Sequence, residues 1–188
     1  MKNKIIYLMP GPTTSAAEVK KLEELIGASL PADYRAYLLE HNGAKPFLKD
    51  VDAGVIVKID WQGKLPAEGG CAGLLSHMGR LLPEPKNTED EYYTTDLYYL
   101  FDTFKSRIPD DTIAIERAPG GSLFLLGIKG KNRGKVFFWS RDYEDINEGP
   151  DGSPSYDNVG FIANSFDEFL DKLEPEPDDL DEWEEQNN

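Results

Sequence analysis

Between Ser15 and Gly43 the apolar positions recur twice with the spacing of a helix. Val19, Leu22 and Ile26 fall three and four apart and make one stripe. Ser15 and Glu18 have the S-x-x-E spacing of a capping box, and Gly27 ends the pattern. A second segment follows at once. Pro31 fits the first turn of a helix, where a missing N–H costs nothing. Tyr34, Tyr37, Leu38 and His41 then recur at i, i+3, i+4 and i+7, and Asn42 and Gly43 tolerate the left-handed backbone that closes a helix. Two short amphipathic helices are predicted back to back.

Past residue 54 the period drops to two. Val55, Val57, Ile59 and Trp61 alternate with Ile56, Lys58 and Asp60, which predicts a strand. Gly63, Pro66, Gly69, Gly70, Pro83 and Pro85 predict loops over 62–90, around a short apolar piece at 74–82. In EYYTTDLYYLFDTF, Tyr93, Leu97, Leu100, Phe101 and Phe104 have helical spacing, while the Thr and Tyr residues among them also suit a strand. Three apolar runs, TIAIE, SLFLLGI and KVFFW, are separated by the turn sequences RAPGG and KGKNRG and predict a three-stranded antiparallel meander. EDINEGPDGSPSYDN has little to bury and predicts a mobile loop. After the short apolar VGFIA, Ser165 and Glu168 repeat the capping-box spacing, and Phe166, Phe169, Leu170 and Leu173 share a face. A single domain is expected over 1–173. The remainder, 174–188, has two prolines, eight acidic residues and no basic one, a composition expected to be disordered when free.

At 188 residues the chain suits one domain that buries roughly 70% of its unfolded surface and needs no disulfide or metal staple. The lone Cys71 cannot form an internal bridge, which favours a reducing compartment. The opening MKNKIIYLMPGP has an apolar run only from Ile5 to Met9, too short for the core of a signal peptide, and no run approaches the ~18 apolar residues of a membrane span. A soluble cytoplasmic protein is expected. The net charge of −15 is unevenly placed: residues 1–141 carry 19 basic and 18 acidic side chains, residues 142–188 carry 1 and 17. Such a field repels nucleic acid and anionic lipid, and speeds encounter with a basic surface by roughly 10- to 1,000-fold at low salt. Direct nucleic-acid binding and membrane binding are therefore not expected.

Little in the sequence asks for catalysis. His41, His77 and Cys71 are too few for a metal centre or a Cys–His pair unless folding gathers them. The glycines of PGGSLFLLG precede an apolar strand rather than a helix N-terminus, which points to a hairpin turn and not a phosphate cradle. Lys129, Lys131, Arg133 and Lys135 could grip phosphate, form a polar hairpin tip, or receive the acidic tail. With 35 acidic residues, no carboxylate pair stands out as an acid/base couple. Trp61 and Trp139 lie inside strand patterns and are expected in the core. Trp183, by contrast, sits in the acidic run, where a solubilising tail needs no aromatic, and indole is a frequent anchor when a disordered segment docks.

The stretch KLEELIGASLPADYRAYLLEHNGAKPF resembles the opening signature of the SUKH superfamily, the Smi/Knr-like group: a Glu- and Leu-bearing helix, LP-x-x-Y, then an NG stop. IPDDTIAIERAPGGSLFLLGIKGKNRGKVFFW is similar to that family's strand, Gly-Gly turn, strand, Gly, strand block, and IANSFDEFLDKL to its closing helix. The resemblance spans roughly residues 15–173. It implies an α+β domain whose mostly antiparallel sheet is packed by an N-terminal helix pair and a C-terminal helix. It implies no catalytic residues and no cofactor, and Leu30, Pro31, Tyr34, Asn42, Gly43, Gly120, Gly121 and Phe166 as determinants of the fold. Bacterial members are commonly immunity proteins that neutralise polymorphic toxins, and fungal members act as intracellular scaffolds. The segments 62–90 and 144–158 have no match in the pattern, and partner specificity is expected in such variable loops.

The expectation is a non-enzymatic immunity protein without metal or cofactor, whose partner is a protein toxin with a basic surface. Asp142, Glu144, Asp145, Glu148, Asp151 and Asp157 would mimic backbone phosphates, with Trp183 and the tail as a second anchor. The alternatives are a regulatory scaffold or, from a third class, an enzyme using carboxylates. No feature of the sequence sets an oligomeric state.

Overall fold

Local signals place the first two helices where the pattern puts them. The structure, a computed structural model, describes residues 5–63, 70–85, 87–146 and 152–187. In chain order it forms β1 (Ile5–Leu8), α1 (Ala16–Ile26), α2 (Ala32–His41), β2 (Lys45–Leu48), β3 (Val55–Lys58), β4 (Ala72–Leu74), β5 (His77–Met78) and α3 (Leu97–Phe104). There follow β6 (Thr112–Arg117), β7 (Leu123–Gly127), β8 (Val136–Trp139), β9 (Val159–Ala163), α4 (Phe166–Asp171), β10 (Glu174–Pro175) and α5 (Leu180–Asn187). At α1, Ser15 Oγ accepts from the Glu18 N–H and the Glu18 carboxylate accepts from the Ser15 N–H at 2.7 Å, so the capping box closes. Val19, Leu22 and Ile26 are its buried stripe.

Helix α2 begins one residue later than the proline rule suggests, with Pro31 at the N-cap. Its stop is built into the core. Asn42 and Gly43 both have positive φ, and a Cβ on Gly43 would lie 2.6 Å from the Arg80 Cβ. The Asn42 amide donates to the carbonyls of Pro12 (2.7 Å) and Leu81 (2.9 Å) and accepts from the Leu81 N–H (2.8 Å), clamping two distant segments onto the helix end. Asp33, in the first turn, accepts from the N–H groups of Phe166 (2.8 Å) and Asp167 (3.3 Å), so one helix caps another 133 residues away. The predicted capping box of α4 is displaced by one residue. Ser165 Oγ accepts from the Glu168 N–H, but the Glu168 carboxylate reaches back to Asn164 rather than to Ser165.

The predicted meander is the middle of a five-stranded antiparallel sheet in the order β5-β6-β7-β8-β9. Phe124 and Phe138 face each other across β7 and β8, and Phe169 of α4 packs on Phe124. On the same face, a Cβ at Gly73 of β4 would touch the Phe124 ring at 2.9 Å. Side chains alternate along a strand, so Trp139 points the other way, where Phe104 of α3 meets it edge-on. Covered on both faces, β7 and β8 are buried throughout, which is why they read as unbroken apolar runs. Phe166 carries the core onward, touching Tyr34 and Tyr37 with ring centroids 5.0 Å apart. Helices with antiparallel sheets make the fold α+β, as expected. Helix prevails in the ambiguous tyrosine-rich segment because Asp96 caps α3, accepting from the Tyr98 N–H, and Leu97, Leu100 and Phe104 are buried.

Two smaller sheets complete the fold. β1 pairs with β2, and β3 lies between β4 and β10. An isolated bridge from Asp60 to Phe161 ties β3's extension to β9. Residues 174–187, whose composition predicts disorder when free, are here a two-residue strand on the edge of β3 followed by α5. The edge supplies the reason: its unpaired backbone takes up the tail, with Glu176 N–H donating to the Gly54 carbonyl at 2.9 Å.

Candidate functional site

The acids singled out at 142–157 lie in the connection between β8 and β9, at the end where Trp139 faces Val159. That connection is held at both of its feet. At the first, in a kinked 3-10 segment over Arg141–Ile146, the Glu144 carboxylate takes two hydrogen bonds from Arg107, at 2.6 and 2.7 Å. The guanidinium stands over the rings of Phe104 (4.9 Å) and Trp139 (5.6 Å), and it holds the Glu144 carboxyl below the ordinary range. At the second foot, the Tyr156 hydroxyl donates to Asp111 at 2.6 Å and accepts from Asn132 at 2.9 Å, while Asn132 also donates to Asp111. Burial, then Asp111, pushes the phenol pKa up. Buried Asn158 closes the connection by donating to the Ser140 carbonyl.

These feet divide the predicted residues. Glu144 is paired with Arg107 and latches the start of the connection to the core. Asp142 and Asp157 are exposed at the same end of the β8–β9 pair, Asp157 accepting locally from the Ser155 hydroxyl. Asp145 lies in the kinked 3-10 segment, and Glu148 and Asp151 fall outside the described residues. Asp110 and Asp111 join this neighbourhood, lining with Lys131, Lys135 and Tyr156 an open hollow of about 590 Å³. Residues 109–111 have no acid-rich spacing, so only the fold brings them here. In the basic run between β7 and β8, Arg133 turns away to the carbonyls of Ser29, Leu30 and Ile128, which makes it a fastener between hairpin and helix pair.

Trp183 is half-buried on α5, whose two sides differ. Inward, Glu184 accepts from the Ala72 N–H at 3.0 Å, its carbonyl lies over the Cys71 thiol, and Lys58 reaches the Asn187 carbonyl. Burial, then Glu184, pushes the Cys71 thiol pKa up. Outward, Asp181, Glu182 and Glu185 are exposed, as are Asp178 and Asp179 before the helix. Of the two other tryptophans, Trp139 is fully buried, whereas Trp61 is half-buried and donates to the Gly70 carbonyl.

Among the described residues, Arg80, Asp96 and Glu116 are buried charged side chains that the sequence reading does not single out. Glu116 ends the apolar TIAIE run, next to a register shift in β6, and is fully buried. One carboxyl oxygen accepts from the Ser76 N–H; the other, like the nearby buried Tyr34 hydroxyl, has no partner. Burial raises its pKa to about 8, against the smaller pull of Ser76 and Lys45, so it is largely a neutral acid at pH 7. An acid closing an otherwise apolar strand is the signal that marks it. Among the described residues no three of His, Cys, Asp and Glu gather in a way that could hold a metal ion. His41 stacks on Tyr7, and His77 meets the Ser76 hydroxyl.

The residues implied as fold determinants are accounted for physically: Leu30, Pro31, Tyr34 and Phe166 are buried, and Gly120 and Gly121 have positive φ in the β6–β7 turn. The sequence model of the SMI1 / KNR4 family (SUKH-1) matches residues 13–172, from just before α1 to the end of α4. The chain is also similar to the SPbeta prophage-derived uncharacterized protein YokK of Bacillus subtilis (strain 168), at 28% identity over 172 residues, covering 87% of this chain and 77% of that protein.

Proposed function

From the premise that this chain belongs to the SMI1 / KNR4 family (SUKH-1), we propose that it is a non-enzymatic immunity protein that acts in the cytoplasm. Its partner is a toxin with a basic, nucleic-acid-active surface. The observation that carries this reading is the placement of charge: 17 of 35 acidic residues, against 1 of 20 basic ones, lie in residues 142–188. Asp142 and Asp157 stand exposed at one end of the main sheet, and α5 turns three carboxylates outward. Carboxylates so displayed can occupy the cationic positions with which a nuclease holds phosphates. Desolvated pairs of this kind couple by about 1.5–7 kcal/mol, exposed ones by about 1 or less. Asp145, Glu148 and Asp151 belong to the same contact set, with Trp183 and the tail as its second anchor. Glu144 contributes by holding the loop in place. Similarity to a prophage-derived bacterial protein favours immunity over the scaffold role of fungal members.

Calorimetric titration tests this reading, using the full chain and a form cut after Leu173 against the toxin-like domain encoded beside the gene, at low and high salt. Tight binding that weakens with salt, and weakens further without the tail, is expected. Absence of binding in both forms would sink the proposal.

A further inference from the structure

A second surface carries a different chemistry. Among the described residues the exposed large apolar side chains are Ile6, Leu8, Met9, Leu25 and Val51, and four of the five gather at the β1–β2 sheet. The register explains the grouping. Ile6 faces Phe47 and Leu8 faces Lys45 on the outer side, while Tyr7 turns inward to stack on His41. With Val51, the outer residues floor an open hollow of about 610 Å³. Among the described residues its charged lining is Asp50 and Asp52, and the tail brings a third carboxylate to the rim, since Glu176 occupies the space where Gly54 would carry a Cβ. Lys45 stands outside the hollow, its ammonium 5.1 Å from the Phe47 ring centre.

β1 pairs with β2 along one edge, and no described strand lies along the other. Edge strands are usually blunted by charge or proline, yet Ile5–Leu8 has neither. β1 and Glu176 lie outside the span 13–172 matched by the family model, whereas Phe47, Asp50, Val51 and Asp52 lie within it.

We propose that the β1 edge is a docking site for an extended polypeptide segment with apolar side chains at alternate positions and basic residues at one end. The segment adds a strand to β1 by main-chain hydrogen bonds, sets its apolar side chains beside Ile6 and Leu8, and offers the basic end to Asp50, Asp52 and Glu176 beyond Ile5. Charge selects this occupant over a second copy of the chain: two molecules of net charge −15 repel, and the rim would meet its own carboxylates. The proposal goes beyond the immunity reading and uses a face that the acids at 142–157 do not require.

The test is amide chemical-shift mapping on the full chain with a short synthetic peptide that alternates valine and threonine and carries two lysines at one end, at physiological salt. A peptide of the same composition in two blocks is the control. Saturable shifts confined to residues 5–9 and 46–54 are expected, with affinity about tenfold weaker in Asp50→Asn/Asp52→Asn and abolished in Leu8→Asp. Equal binding of the block peptide, shifts centred on 142–157 or on α5, unchanged binding by Leu8→Asp, or no binding would each overturn it. So would a dimer of the free protein that Leu8→Asp dissolves. Because the probe is not the toxin, this result and the toxin titration fail independently.

Discussion

Glu116→Gln is expected to flatten a loss of stability that the wild-type protein suffers on the alkaline side of neutrality. The folded carboxyl titrates at about 8, against 4.5 in the unfolded chain. The folded protein therefore holds the proton longer: this contribution is complete below pH 4.5 and is lost as the pH rises through 8. At about 1.36 kcal/mol per unit the whole loss is about 5 kcal/mol, of which about 1.4 kcal/mol falls between pH 7 and pH 9. The difference between the two proteins isolates Glu116, because Cys71, whose thiol burial raises above 9.0, adds to the loss near pH 9 equally in both. Urea unfolding followed by tryptophan fluorescence at pH 7, 8 and 9 measures the loss directly. Glutamine keeps an oxygen to accept from the Ser76 N–H but cannot ionise, so its stability should change by less than about 0.5 kcal/mol over the window. Equal slopes in the two proteins, or a flat wild-type profile, would refute the claim that a neutral acid sits in this core.

The remaining predictions concern the clamp, the loop and the tail. Asn42→Ala strands polar groups of Leu81 and Pro12 at the end of α2 and should cost about 2–4 kcal/mol in urea unfolding. Glu144→Gln should lower stability by no more than about 1 kcal/mol, its pair with Arg107 being one-third exposed, and leave toxin affinity unchanged by calorimetry, because glutamine keeps an oxygen to accept from Arg107. Asp142→Asn with Asp157→Asn should do the opposite: unchanged unfolding, and a slower, less salt-dependent association with the toxin in stopped-flow mixing. Truncation after Leu173 should uncover Cys71 and speed its reaction with a thiol reagent, whereas an unchanged rate would mean that α5 does not rest on β4.

Much of the fold is legible in the sequence because its signals are local. Ser15 with Glu18, Ser165 with Glu168, and the NG stop each act within four residues. The β6–β7–β8 meander is legible because RAPGG and KGKNRG dictate tight reversals between apolar runs. Strands β5 and β10 leave no trace of this kind: two residues have no periodicity, and both exist only because a distant strand offers an edge. The acidic loop shows the same division. Composition marks the run of acids from Asp142 to Asp157, but nothing near Glu144 in the chain announces its pair with Arg107, 37 residues earlier. Tyr156 reads as one more residue of a polar loop until Asp111 and Asn132 are seen to hold its hydroxyl.

The Asp33 cap on α4 has a consequence for synthesis. At roughly 5–20 residues per second the ribosome needs about 7–27 s to travel from residue 33 to residue 166. Throughout that interval α2 has neither the helix that its carboxylate caps nor the Phe166 ring that fills the space between Tyr34 and Tyr37. Nascent chains therefore stay open to chaperones and proteases until α4 is made. A product that stops before α4 lacks the carboxylate cap and the ring that seal α2 into the domain.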